Sequence, residues 1–396
     1  MIKGKLRGRS DTLWHPASTP GVVFDGRYVQ DRYHGIGRYA FQVLKELIQV
    51  LPEVHFAVLR DPGAPESRFE WSALSAGRSV VLRDVHAHVF SLTEQVAVPW
   101  ACFAEMHPTA LYHSPYFALP WALPGRKSII TVHDCIFEHD ARYMPQRWAR
   151  LYYRLLMHAS TRRARAIAVP SRATARDLRR FYRASKRKIL VTPEAADPSF
   201  RQIEDRGLAE TVRWRYSLPA GFVLAVGARR PHKNFAHLVR SLAHVEGATL
   251  VFVGDADERF PDETAEAATV LGERARFLGK VPEDDLPALY NLATVVACPS
   301  VIEGFGLPVL EAMSCGTPVV CSDIAVFREV AGEAAAYAPP TDEQAWALAL
   351  RQILDSSERQ ASLSDAGLAR SRQFTWRAAA EALIPVYRSL GITNSA

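Results

Sequence analysis

Glu303 and Glu311 stand with seven residues between them in the eighteen-residue string Pro299–Gly316, PSVIEGFGLPVLEAMSCG. Between them runs Gly304-Phe305-Gly306-Leu307-Pro308. The apolar run ahead of the string, Thr294 to Cys298, has the character of a buried strand. Pro308 suits a first helical turn, where the N–H it lacks has no partner anyway, and Gly316 suits the left-handed stop after a helix. The expected unit is strand, glycine turn, helix. The free N–H groups and dipole of a helix start attract an anion, and glycine lets it come close to the backbone. One carboxylate precedes the turn and the other lies in the first helical turn, so both can face one ligand, anionic in one part and hydroxylated in another. A nucleotide diphosphate sugar has both parts. Taken alone, a glycine corner with two solvated glutamates stays open.

Four further clusters bear on the chemistry. Gly227-Ala228-Arg229-Arg230-Pro231-His232-Lys233-Asn234 follows an apolar run, Phe222 to Val226, and gathers two arginines and a lysine where a diphosphate could be met. Asn234 is the expected N-cap of the next helix. His34-Gly35-Ile36-Gly37-Arg38-Tyr39-Ala40 satisfies Gly-x-Gly-x-x-Ala, and Asp61 ends a strand some twenty residues on. That pattern keeps a nicotinamide-dependent oxidoreductase open, although about ten polar residues, Asp25 to His34, separate the strand from the first glycine. Thr131-Val132-His133-Asp134 ends another apolar strand. Asp255-Ala256-Asp257 mimics a metal-binding pair, but the basic cluster can itself neutralise a diphosphate, so no metal is expected.

The whole string Pro299–Gly316, continued by Pro318-Val319-Val320-Cys321-Ser322, Glu329 and Gly332, resembles the signature of retaining glycosyltransferase family 4, which has the GT-B fold. The resemblance covers the chain from about residue 21 onward. It implies two Rossmann-like α/β domains around a cleft and transfer of a hexose from a nucleotide diphosphate sugar, with no other cofactor. It implies Arg230 and Lys233 as a diphosphate clamp, Glu303 on the hexose and His133 as a hexose contact. The donor would also meet Gly304, Phe305, Gly306, Leu307, the backbone at Val281, the turn Gly35, Ile36 and Gly37, and Glu311 at the ribose. Arg230 is preferred to Arg229 because its spacing to Pro231 and Lys233 matches the family. Around His133-Asp134-Cys135 and Arg230 to Lys233 the chain looks most like bacterial mannosyltransferases of polysaccharide assembly, which implies GDP-mannose as donor and a saccharide or lipid-linked saccharide as acceptor. Glu194-Ala195-Ala196-Asp197 departs from the asparagine-glycine turn of many relatives.

The elements that must position these residues alternate. Strands are expected at Val22–Phe24, Val54–Leu59, Leu111–His113, Ser128–Val132, Ala166–Val169 and Ile189–Val191. In the second half they are expected at Phe222–Val226, Thr249–Val253, Arg276–Leu278, Thr294–Cys298 and Pro318–Cys321, with helices between. The first domain is expected over residues 1–195 and the second over 196–374, and the resemblance implies that a helix over 375–396 returns to the first. At 396 residues, 48% of them hydrophobic, the chain is long enough for two cores. The first twenty residues are basic but lack the apolar segment of a secretory signal, and no eighteen-residue apolar run occurs. Five scattered cysteines fit a reducing, cytoplasmic setting. Residues 1–200 hold 29 Lys and Arg against 17 Asp and Glu, a net of +12, whereas residues 201–396 hold 19 against 25, a net of −6. The basic run Arg142–Lys188, with Trp148, Tyr152 and Tyr153, points to peripheral contact with anionic lipid at the inner face of the membrane. No nucleic-acid module is recognisable.

Overall fold

A computed structural model describes residues 21–31, 34–65, 68–75, 80–105, 110–262 and 264–392. The basic first twenty residues lie outside them. Two parallel sheets carry the chain. The first holds β1 (Val22–Asp25), β2 (Phe56–Arg60), β3 (Val80–Asp84), β4 (Leu111–Ser114), β5 (Ser128–Thr131), β6 (Ala166–Val169) and β7 (Ile189–Val191), in the order 3-2-1-4-5-6-7. The second holds β8 (Val223–Val226), β9 (Leu250–Val253), β10 (Ala275–Phe277), β11 (Val295–Cys298), β12 (Val319–Ser322) and β13 (Ala336–Ala338), in the order 10-9-8-11-12-13. Central strands such as VVFD, VVAC and VVCS are buried along their whole length. Helices cover both faces of such sheets, which is why these strands read as continuous apolar runs.

Each sheet reverses its order once, beside β1 and β4 and beside β8 and β11. Ligands bind such sheets beyond the carboxyl ends of the strands at this reversal. The loops leaving β1, β5, β8 and β11 carry the expected glycine turn, His133, the basic cluster and Glu303. The helices concerned are α1 (His34–Val50), α2 (Glu94–Glu105), α3 (Arg147–Arg163), α4 (Arg172–Tyr182), α5 (Phe235–Ala243), α6 (Leu286–Leu292), α7 (Leu307–Ser314), α8 (Trp376–Glu381) and α9 (Ile384–Ser389).

The expected strands are present within a residue or two. The edge strands β3 and β13 were not expected, nor were α2 and α3. The glycines of His34–Ala40 do not form a loop: α1 starts at His34, so Gly35, Ile36 and Gly37 are its first turn. The tail is two helices rather than one. Asn234 stands at the N-cap position of α5 in a left-handed conformation, with φ 57°, yet makes no capping bond. Its side-chain amide donates instead to the carbonyls of Pro299 (3.1 Å) and Pro340 (2.8 Å), tying the basic loop to the segment before Glu303.

The chain returns to the first sheet through α8 and α9. Trp376, Ala379, Ala380, Leu383 and Tyr387 are buried in one cluster with Tyr39, Leu44 and Leu47 of α1. The Tyr387 hydroxyl lies 2.6 Å from His113 Nδ1, and burial pushes that imidazole down to about 3, so it is neutral. Trp376→Ala is expected to destabilise the protein by about 3–5 kcal/mol, the cost of emptying a buried indole site. Urea unfolding checks this; a change under about 1 kcal/mol would show that the tail does not complete the first core.

Candidate active site

The site is built where the two sheets face each other. Gly304 follows Glu303 and presses on the first domain, where a Cβ would overlap the carbonyl oxygen of His133. The Gly304 carbonyl accepts from the hydroxyls of Ser171 (2.7 Å) and Thr174 (3.1 Å) at the start of α4. Ser171 also caps that helix, accepting from Thr174 N–H. Gly306 takes φ 104°, which a side chain disfavours, and opens α7 with Pro308 in its first turn. Phe305 is buried beneath the turn. Leu307 reaches the first turn of α1: a Cβ on Gly35 would lie 3.9 Å from Leu307 Cδ1. Two helix starts thus face one another across the cleft, and the first N–H groups of a helix have no partner within it.

Charged side chains line this gap in pairs. Lys233 Nζ lies 2.6 Å from Glu303 Oε1, which also accepts from Ser300 Oγ at 2.7 Å. Burial would push the Glu303 carboxyl up, but the charges of Lys233 and His232 and the hydrogen bonds from Lys233 and Ser300 outweigh it and hold it below the usual range. Glu311 is buried; it accepts from Tyr290 of α6 at 2.8 Å and from Arg38 of α1 at 2.9 Å. There burial wins, and the carboxyl sits above the usual range despite Arg38. Arg230 pairs with Asp257 at 2.8 Å, and Asp257 is held in turn by Arg259 at 2.6 Å. Arg229 donates to the Gly254 carbonyl and stacks on Phe277. Of the two arginines, Arg230 is the more available.

His133 differs from expectation. Nδ1 lies 2.8 Å from Glu194 and Nε2 lies 2.9 Å from the Pro115 carbonyl, so no ring nitrogen is left for a hexose hydroxyl. With Glu194 ionised both partners accept, which favours protons on both ring nitrogens and makes His133 an imidazolium. Burial would lower its pKa, but the hydrogen bond and charge of Glu194 raise it above the ordinary value. Glu194 opens the linker stretch Glu194-Ala195-Ala196-Asp197. Val281 is buried in the second core, and the neighbouring Glu283 approaches Arg68 (2.6 Å) and Arg38 (3.6 Å).

The sequence therefore marked Glu303, Lys233, Arg230, Glu311 and the two glycine turns, and the fold brings them together. It did not single out Tyr290; it had Arg38 and Ser300 only inside longer motifs, Asp257 only as half of a metal-like pair and Glu194 only as a departure from relatives. Asp61 serves a local turn through Gly63 N–H (3.1 Å), Gly35 of α1 faces Leu307 and Gly37 packs against the backbone of Tyr28 and Gln30, an arrangement unlike a dinucleotide turn.

Arg38→Ala leaves Glu311 buried without its cation and should cost about 3 kcal/mol of stability. The Arg38→Ala, Glu311→Gln double variant should recover most of that; additive losses in urea unfolding would show that the pair is not coupled. A second expectation concerns pH. The folded pKa of His133 is raised, so its contribution is complete below the unfolded value of about 6.5 and is lost as pH rises through the folded value. Melting temperature should fall more steeply above neutral pH in the wild type than in Glu194→Gln. Parallel curves would overturn the imidazolium assignment.

Residues 33–200 match the family model described as Glycosyltransferase Family 4, and residues 213–370 match that described as Glycosyl transferases group 1. The chain is 28% identical over 387 residues to O-antigen chain mannosyltransferase B of Escherichia coli, covering 93% of this chain and all of the relative. It is 30% identical over 232 residues to O-antigen chain mannosyltransferase RfbU of Salmonella typhimurium, over 58% of this chain and 61% of the relative. The fold superposes on sucrose-phosphate synthase of Thermosynechococcus elongatus with a TM-score of 0.73 at 22% identity, over 94% of this chain and 99% of that one. With two facing parallel-sheet domains, and glycosyltransferase models spanning both, the chain belongs to the family 4 glycosyltransferases of GT-B fold.

Proposed function

We propose that the protein moves mannose from GDP-mannose to a hydroxyl of a saccharide or lipid-linked saccharide in polysaccharide assembly, with retention at the anomeric carbon. The observation that carries this is the paired arrangement of Glu303–Lys233 and Glu311–Arg38 around two opposed helix starts. The mannose assignment is supported by the name of the relative matched over its whole length, and retention by the family signature. The bond from the anomeric carbon to the phosphate oxygen breaks, and a bond to the acceptor oxygen forms on the same face. The departing phosphate takes the acceptor's proton. Negative charge grows on the diphosphate as the bond breaks. Lys233, Arg230 and the N–H groups at Gly35–Gly37 and Gly306–Leu307 stabilise it without reorganising. Glu303 holds hexose hydroxyls, and Glu311 takes the ribose hydroxyls in exchange for Arg38. Because these cations are built in, turnover needs no metal.

A melting-temperature panel of GDP-, UDP-, ADP- and dTDP-sugars tests the donor. A ligand at a hundred times its dissociation constant adds about 2.7 kcal/mol. GDP-mannose should give the largest shift, Glu311→Gln should weaken it by about 1.5–3 kcal/mol, and chelator should leave turnover intact. A shift with another sugar nucleotide alone would replace the donor; loss of turnover on chelation, restored by manganese, would add a metal.

A further inference from the structure

We propose that the outer face of the first domain formed by α2, the loop 115–124 and α3 seats the protein on an anionic bilayer. This rests on the reading above that the acceptor is lipid-linked. Three exposed apolar residues on α2, Val96, Trp100 and Phe103, recur at helical spacing, and Trp100 is 79% exposed. The opposite side of α2 buries Val98 and Cys102. On α3, Trp148, Leu151 and Leu155 recur in the same way, with Trp148 83% exposed, while Tyr153, Leu156 and Met157 face the core. Each helix is therefore apolar on two faces, and one of them meets solvent. Exposed apolar surface on this scale marks an interaction site.

The loop joins the two helices into one surface. Trp121, also exposed, donates its N–H to Gln95 of α2 at 3.0 Å. Arg163 of α3 donates to the carbonyls of Trp121 (2.8 Å) and Pro120, and Leu119 N–H donates to Ser160 Oγ of α3 at 3.1 Å. This commits Arg163 to fixing the loop, and Tyr153 is buried, so the basic run Arg142–Lys188 does not form one lipid-facing stripe.

Charge selects the occupant. α3 has five arginines and no Asp or Glu. Arg154 reaches Glu138, while Arg147, Arg150 and Arg162 have no acidic partner among the described residues. Glu94, which opens α2, is buried against Arg27. Aromatic side chains beside unpaired arginines suit the layer between phosphate headgroups and acyl chains. A second copy docking the same face would oppose like charges. No helix among the described residues is long and apolar enough to cross a membrane, so the contact is with one leaflet. The same loop reaches the site: Pro115 accepts from His133, and the Tyr116 ring stacks at 6.0 Å from the His133 ring. A bilayer on the outer face places a lipid-linked acceptor at the mouth of the cleft.

The test uses the full chain with vesicles of phosphatidylcholine, alone or mixed with phosphatidylglycerol. Tryptophan emission should shift to the blue with the anionic vesicles and be quenched by brominated lipid. Trp100→Ser with Trp148→Ser should bind about tenfold more weakly at every salt concentration. Arg147→Gln with Arg150→Gln and Arg162→Gln should lose the salt-sensitive part of the binding. Both variants should keep the wild-type melting shift with sugar nucleotide. Absence of wild-type binding to anionic vesicles, or tryptophan variants that bind as tightly, would overturn the surface while that shift leaves the transferase reading standing. A dimer in sedimentation that the tryptophan substitutions abolish would assign the face to a second copy and overturn it as well.

Discussion

The close approach of Gly304 to the backbone at His133 is the constraint on which the site depends. Two domains meet there with no side chain between them, and two hydroxyls of the first domain grip the Gly304 carbonyl. Each hydrogen bond contributes only about 1 kcal/mol. The steric term is larger, since a methyl group would have to displace backbone. The contact sets Glu303 beside Lys233 and Asp134, and it aims the start of α7 at the start of α1. Around it the domain interface is polar: Arg172 N–H donates to Glu329 at 2.8 Å, and Gln42 donates to Asp197 at 2.9 Å. Interfaces of this kind separate readily in water.

The second theme is neutralisation in advance. Glu303, Glu311, Arg230 and His133 each sit against an opposite charge, with partners at 2.6–2.9 Å. Buried charges without partners are costly, so an empty charged cleft must pair its groups internally. A donor that brings two phosphate charges and a ribose does not create charged contacts from nothing; it exchanges them. Arg38 is the clearest case. It occupies the Glu311 carboxylate, and ribose hydroxyls arriving there would release a cation a short distance from the diphosphate. Net affinity is then a difference between two good sets of contacts.

Much of this was legible. The strand, turn and helix around Glu303 follow from local chemistry, because Gly306, Pro308 and Gly316 each have one role there and take it. The central strands were readable since burial on both faces leaves only apolar residues. The edges were not. β3 reads VVLRD and is half exposed, and β13 is three residues long. α2 and α3 lack a clean amphipathic stripe because their outer faces are apolar too. Asn234 has the residue type of a cap, but tertiary acceptors took its amide. Arg38 and Glu311 are 273 residues apart, and no local pattern links them. Glu194 was visible as a departure from relatives, but its bond to His133 required the fold.

The return of α8 and α9 makes the second domain, in effect, an insertion within the first. The polypeptide crosses between domains twice, near Glu194 and again before Trp376. Two crossings act as a strap hinge, and favour rotation about the line joining them over free swinging on a tether. There is also a consequence for synthesis. When the ribosome has released residues 21–191, both faces of the first sheet exist, but the surface of α1 that covers Tyr387 and Trp376 is still bare. It stays bare until the whole second domain has emerged. The first domain to be made is the last to be finished, and its unfinished side is an apolar patch for chaperones to shield.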